Sequence, residues 1–195
     1  HRLAIGIADV SGKGVPGALM MVMCRSVTRS KATSYRNASS VMKEVNRLLS
    51  GDMKADMFIS MSYAILDTAK RTLSVARAGH EPALVVRAAT HAVEAVFPKG
   101  MALGIDNGEH FDLAIEETTI SLAANDVVAF YTDGITEAMD AQGQEFGREQ
   151  FQEALRVAAG GSSQEILGNV CERIKRFIGT HPQHDDMTLV VIKAT

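Results

Sequence analysis

MFISMSYAIL (residues 57–66), TLSVARAG (72–79), PALVV (82–86) and HAVEAVF (91–97) follow one another with only short turns between them. Each is strand-sized, and TLSVARAG alternates apolar and polar residues as a half-buried strand does. Asp67 to Arg71 reads as the first turn. Two more strands are predicted downstream, over Leu113 to Ile120 and Asp126 to Tyr131. The last one, MTLVVIKA (187–194), closes the chain.

Outward from this run the period changes to that of helices. At the start, Arg2 to Asp9 reads as a buried strand running into VSGKGVPG, whose glycines suit tight backbone geometry. Pro16 suits the first turn of a helix, and ALMMVMCRSV continues it. The methionines at 20, 21 and 23 suit a packed core helix better than an adaptable binding face. A second helix is predicted over Tyr35 to Leu49, where Val41, Val45, Leu48 and Leu49 recur at helical spacing. Phe146 to Ala158 is a third, broken by Gly160 and Gly161. Ser162 with Glu165 three residues on is a capping box that opens a fourth, through about Phe177. Helices, a run of strands, helices and a final strand are not a βαβ series. They define an α+β domain with mainly antiparallel sheet. Without repeats or a low-complexity linker, residues 1–195 read as one domain.

Composition excludes several functions. With 46% hydrophobic and 22% charged residues, the 195-residue chain is ordinary globular material. A net charge of −3 and no Lys/Arg stripe give no nucleic-acid footprint. No apolar run reaches 18 residues and no signal-peptide pattern opens the chain, so a cytoplasmic location without membrane partners is expected. The chain begins directly in a strand, as a fragment of something longer would. Cys24 and Cys171 belong to no CxxC motif and read as buried thiols in a reducing compartment.

Chemistry concentrates at strand ends. Asp9 precedes the glycine-rich turn, Asp133 ends VVAFYT, and Asp185 and Asp186 precede the final strand. Carboxylates so placed can be held rigidly together, and carboxylate oxygen is the natural ligand of Mg²⁺ or Mn²⁺. Taken singly, each is more often a turn or cap residue. Neither GxxxxGK[ST] nor the Rossmann GxGxxG is present, and the histidines form no HExxH or zinc spacing. Lys13 suits an anionic substrate or a solvent-exposed turn. His80, in AGHEPA, suits a structural hydrogen bond or a place at the site.

DVSGKGVPGALM (9–20), AGHEPALVV (78–86), MALGI (101–105), VVAFYTDGITEA (127–138) and HDDMTLVVIKA (184–194) together resemble the metal-dependent PP2C-type Ser/Thr phosphatases. The likeness is to the bacterial branch of sporulation and stress-response regulators, and it runs from Leu3 to the C-terminus. It implies a four-layer α-β-β-α sandwich with two Mn²⁺ or Mg²⁺ ions at one end. Asp9 would bridge the ions and Val10 would offer its carbonyl. Asp133 and Asp185 would hold the first ion, Gly134 would permit close packing beneath, and Asp186 would take an outer role or a weaker extra ion. The implied substrate is phosphoserine or phosphothreonine on a signalling protein, such as an anti-sigma-factor antagonist. A sensory or regulatory domain upstream is expected in the same way; homodimerisation is left open by the sequence, with the Met-rich segment near Leu19 to Met23 and a bare sheet edge as candidate contact surfaces. The branch usually carries a further acidic motif, like GDYYD, upstream of the position of Asp9, and the chain starts after it. That departure leaves a catalytically impaired partner-binding module on the same fold as the alternative. A hydrolase of a non-protein phosphate is the other.

Overall fold

The computed structural model describes residues 1–54 and 56–195. The chain divides into two compact units. One comprises residues 1–80 and 97–121; the other comprises residues 81–96 and 122–195.

The first unit is built on an antiparallel sheet. Its strands are β1 (Arg2–Val10), β2 (Ile59–Asp67), β3 (Thr72–Ala78) and β6 (Glu117–Ser121), in the order β1-β2-β3-β6. Asp67 makes the β2–β3 hairpin turn, its Oδ1 accepting the amides of Ala69 and Lys70 at 3.2 and 3.0 Å. Helices α1 (Gly14–Lys31) and α2 (Ala38–Leu49) pack on each other, and α2 lies against β2 and β3. Val41, Met42, Val45 and Leu49 face inward and meet Met61, Tyr63 and Ile65 of β2 in one core. The predicted α2 began three residues earlier, and Asn37 is its N-cap.

The second unit repeats this plan. Strands β4 (Ala83–Val86), β5 (Val93–Val96), β7 (Val127–Tyr131) and β8 (Leu189–Lys193) form an antiparallel sheet in the order β5-β4-β7-β8. Helices α4 (Gly147–Ala158) and α5 (Ser163–Ile178) pack together, α4 against β4 and α5 against β8. Phe146, Phe151, Leu155, Ile166, Val170 and Ile174 fill the core beneath them. Two antiparallel sheets, each flanked by helices, are the layers the sequence implied.

The capping box is formed as read. Ser162 Oγ accepts the Glu165 amide at 3.3 Å, and the Glu165 carboxylate accepts the Ser162 amide at 2.7 Å. Ser162→Ala is expected to cost about 1 kcal/mol, or roughly 2–4 °C in Tm, with Ser162→Thr nearly neutral. An alanine variant melting at the wild-type temperature would remove the cap from the stability of α5. At the other end of the preceding helix, Lys193 Nζ donates to the carbonyls of Ala159, Gly160 and Gly161 at 3.0, 3.2 and 2.6 Å. It thereby satisfies the carbonyls of the α4 C-cap and of the two residues beyond it.

Three expectations are corrected. Leu113 and Ala114 are not strand but the end of a short helix α3 (Glu109–Ala114), with β6 starting only at Glu117. Asp106 explains this: its Oδ1 accepts the amides of Gly108 and Phe111, both at 3.0 Å, and folds the chain into a helical turn that buries Phe111. The Phe111 and Gly108 amides, with His110, pull the Asp106 carboxyl down to about 2. β1 is not buried. It is an edge strand, and Leu3 is 54% exposed. Of the two thiols only Cys24 is buried, which pushes its pKa up against the opposing effect of Thr28; Cys171 is half-buried. Among the described residues no helix is long and apolar enough to cross a membrane.

Candidate metal centre

β7 delivers the central carboxylate. All five of its residues are buried, and Thr132, the next residue, is 4% exposed. Asp133 then opens a 3-10 turn, Asp133–Ile135, whose first carbonyl accepts Thr136 Oγ1 at 3.0 Å and the Glu137 amide at 2.8 Å. The carbonyl of Asp133 is thus engaged in the turn, and its side chain is left to the site.

Thr132 clasps the second acidic segment onto the first. Its amide donates to the Thr188 carbonyl at 3.1 Å, and its Oγ1 accepts the Thr188 amide at 2.9 Å while donating to the Asp186 carbonyl at 2.9 Å. A Cβ on Gly134 would lie 2.5 Å from the Asp186 carbonyl oxygen, so only glycine allows this approach. As a result, Asp133 and Asp185 each present an oxygen within 4.8 Å of the other. Asp185 is oriented locally: its Oδ1 accepts the Asp186 amide at 2.8 Å, and its carbonyl accepts Gln183 Nε2 at 2.7 Å. The Asp186 side chain is exposed, and its backbone carries the clasp.

The electrostatics suit a cation. Although Glu137 is exposed, partial desolvation of its carboxyl raises it above the ordinary range, and the charges of Asp133, Glu145, Asp185 and Glu81 push it further. Among the described residues, the ion pairs of the second unit lie elsewhere: Arg87 with Glu94 and Asp126, Arg148 with Glu81, and pairs along α4 and α5. The donors are carboxylate oxygens, the ligand type of hard divalent ions. Two oxygens sharing one octahedral Mg²⁺ at about 2.1 Å stand about 3–4 Å apart. The Asp133 and Asp185 oxygens, within 4.8 Å of each other, are compatible with that spacing.

In the first unit, Asp9 is the penultimate residue of β1, half-buried and registered opposite Ser60 of β2. Val10 follows it, and its carbonyl accepts the Gly12 amide at 2.7 Å, which occupies one of the two lone pairs. The turn beyond is locked by Ser11, whose amide donates to the Phe58 carbonyl at 2.9 Å and whose Oγ accepts the Phe58 amide at 2.7 Å. Gly17 in the first turn of α1 sits so close to the Gly12 carbonyl that a side chain there would collide with it. Lys13, the α1 N-cap residue, is exposed. His80 is 5% exposed, with Nδ1 2.8 Å from Ser60 Oγ. It makes the structural hydrogen bond that the sequence offered as one option, holding the residue that faces Asp9 across the ladder.

Sequence reasoning missed Thr132 and Glu137. The threonine stood inside TDG, and its role depends on a partner segment more than 50 residues away. The glutamate lies four residues past Asp133, one helical turn on, which was the available signal.

The fold and the acidic strand ends define a PP2C-type domain. The PP2C domain of SiaA from Pseudomonas aeruginosa superposes with a TM-score of 0.83 at 22% identity, over 98% of this chain and 75% of that one. The catalytic domain of the serine/threonine phosphatase PstP, solved with two manganese ions, gives 0.69 at 13% identity over 98% of this chain and 88% of that one. Residues 1–195 match the family of Stage II sporulation protein E (SpoIIE), and the chain belongs to that family. It is 31% identical over 193 residues to the phosphoserine phosphatase RsbU of Bacillus subtilis (strain 168), across 99% of this chain. It spans 56% of that relative's length and about a third of two other curated relatives, 33% each.

Proposed function

We propose that the chain is a Mn²⁺- or Mg²⁺-dependent protein phosphatase acting on phosphoserine or phosphothreonine. The observation that carries this reading is the Asp133–Asp185 pair, held by the Thr132 clasp in a domain of this family. In the proposal Asp9 would add a third carboxylate ligand, and Val10 would add the remaining lone pair of its carbonyl. Asp186 serves from outside or holds a weaker extra ion. Two divalent ions, when bound, supply neutralisation of the phosphate's charge and a more acidic coordinated water. The protein's part is placement: the turn after β7 and the Thr132 clasp hold the backbones that carry Asp133 and Asp185, which limits reorganisation as charge shifts during attack on phosphorus. No nucleophilic side chain is required.

RsbU is named for phosphoserine hydrolysis, which supports a phosphoserine protein as the substrate here. An anti-sigma-factor antagonist is the substrate class that the family resemblance favours. An upstream sensory domain, a homodimer and a cytoplasmic setting belong to the same proposal. The exposed apolar residues Val15, Leu19 and Val22 of α1 give the homodimer one candidate surface.

The test is metal removal and return. Hydrolysis of p-nitrophenyl phosphate is expected to fall about a hundredfold or more in EDTA and to recover with Mn²⁺. Calorimetry should record Mn²⁺ binding to the same sample. Equal rates in EDTA and Mn²⁺ would overturn the reading. Partner binding without Mn²⁺ uptake or hydrolysis would instead support a non-catalytic module.

A further inference from the structure

Beside Asp185 the second unit has a cavity of about 130 Å³. That approaches the ~150 Å³ cavity known to accept a benzene-sized ligand, so one long side chain fits. Its chemistry is divided. Met139, Ile178, Pro182 and Met187 supply apolar walls, and Glu137 and Asp185 supply carboxylates. In the proposed centre Asp185 is committed to an ion, which leaves Glu137 as the free charge. Glu137 is exposed and belongs to none of the ion pairs among the described residues. The surroundings add negative charge, because Asp133, Glu145 and Glu81 all act on it. Arg148 is paired with Glu81 at 3.0 Å.

An apolar side chain would cover the methionines and leave Glu137 unmatched. An acidic one would be repelled. A lysine or arginine does both tasks, since its methylene stem packs on apolar walls while its head stays with a carboxylate in water. We infer that this cavity is a specificity pocket for a lysine or arginine side chain of the phosphoprotein, close to the phosphoserine. The inference rests on the phosphatase reading, and it adds a substrate preference that the reading lacks. The four apolar residues confer reach and Glu137 confers charge selection.

The test uses the 195-residue chain and a set of labelled phosphoserine peptides. Each flanking position is occupied in turn by lysine, by its neutral isostere norleucine, or by glutamate. Both kcat/KM in Mn²⁺ and affinity by fluorescence anisotropy are measured. At one position lysine should exceed norleucine by about fivefold, the scale of an exposed ion pair, and glutamate should be poorest. In Glu137→Gln the lysine-to-norleucine ratio should fall to about one, and Glu137→Lys should favour glutamate. Hydrolysis with no lysine preference at any position would overturn the pocket and leave the phosphatase reading standing. A lysine preference in binding without hydrolysis would keep the pocket and sink the phosphatase reading. A preference that vanishes as Mn²⁺ is raised would assign Glu137 to a further ion and overturn the inference.

Discussion

Asp133→Asn is expected to lower kcat/KM for a phosphoserine protein by about a thousandfold, equivalent to about 4 kcal/mol of lost transition-state stabilisation. The side chain keeps its shape but loses its charge and one anionic oxygen. The local fold should be unaffected, because the 3-10 turn is held by the Asp133 carbonyl and not by its carboxylate. Stability should move in the opposite direction to activity. In the metal-free protein Asp133 and Asp185 repel each other within 4.8 Å, and asparagine removes that repulsion. The melting temperature in EDTA should therefore equal or exceed that of the wild type. Glu137, which feels the Asp133 charge, should titrate lower in the variant. Activity within about threefold of the wild type would remove Asp133 from the centre. A parallel fall in Tm would recast it as structural.

That separation of activity from stability reflects how the site was written in the sequence. Asp133 and Asp185 were visible because each lies where an apolar strand meets a turn, and because TDG and DDMT are dense, specific strings. The capping box at Ser162 was visible because both partners are three residues apart. What was hidden depends on distant partners. Thr132 looks like any strand-end threonine until β7 and β8 pair, and only then does its hydroxyl meet Asp186 and Thr188. The strand reading of Leu113 and Ala114 failed for a local reason. Asp106 captures two amides and starts a helical turn, a competition between side chain and ladder that apolar spacing does not report. The apolar run of β1 looked buried because hydrophobicity alone cannot separate a central strand from an edge. In the sheet order β1-β2-β3-β6 it lies at an edge, and Leu3 is half exposed.

Asp126 makes the same point with the largest expected effect on stability. The sequence placed it simply as the first residue of a strand, yet it is 1% exposed and organises the turns around it. Its Oδ1 accepts the Ala88 amide at 2.9 Å, and its Oδ2 accepts the Ala123 amide and Arg87 Nη1, both at 3.0 Å. Its backbone also pairs with Ala194, so the exits of β4 and β8 and the entry of β7 meet on one residue. Burial pushes its carboxyl up, but the two amides and the Arg87 guanidinium outweigh this and hold it below the ordinary range. Asp126→Ala would leave the part-buried amides of Ala88 and Ala123 without this acceptor and Arg87 with Glu94 alone, at a cost of about 2–3 kcal/mol at neutral pH. The pH dependence has a definite sign. A lowered folded-state pKa means that this contribution is fully present above the unfolded value of about 3.9, and is lost as pH falls through the folded value. Urea unfolding of wild type and variant should therefore differ by a constant amount from neutral pH down to about 5 and converge below about 4. A gap that stayed constant through the acid range would mean that the lost packing, and not the carboxylate's bonds, accounts for the destabilisation.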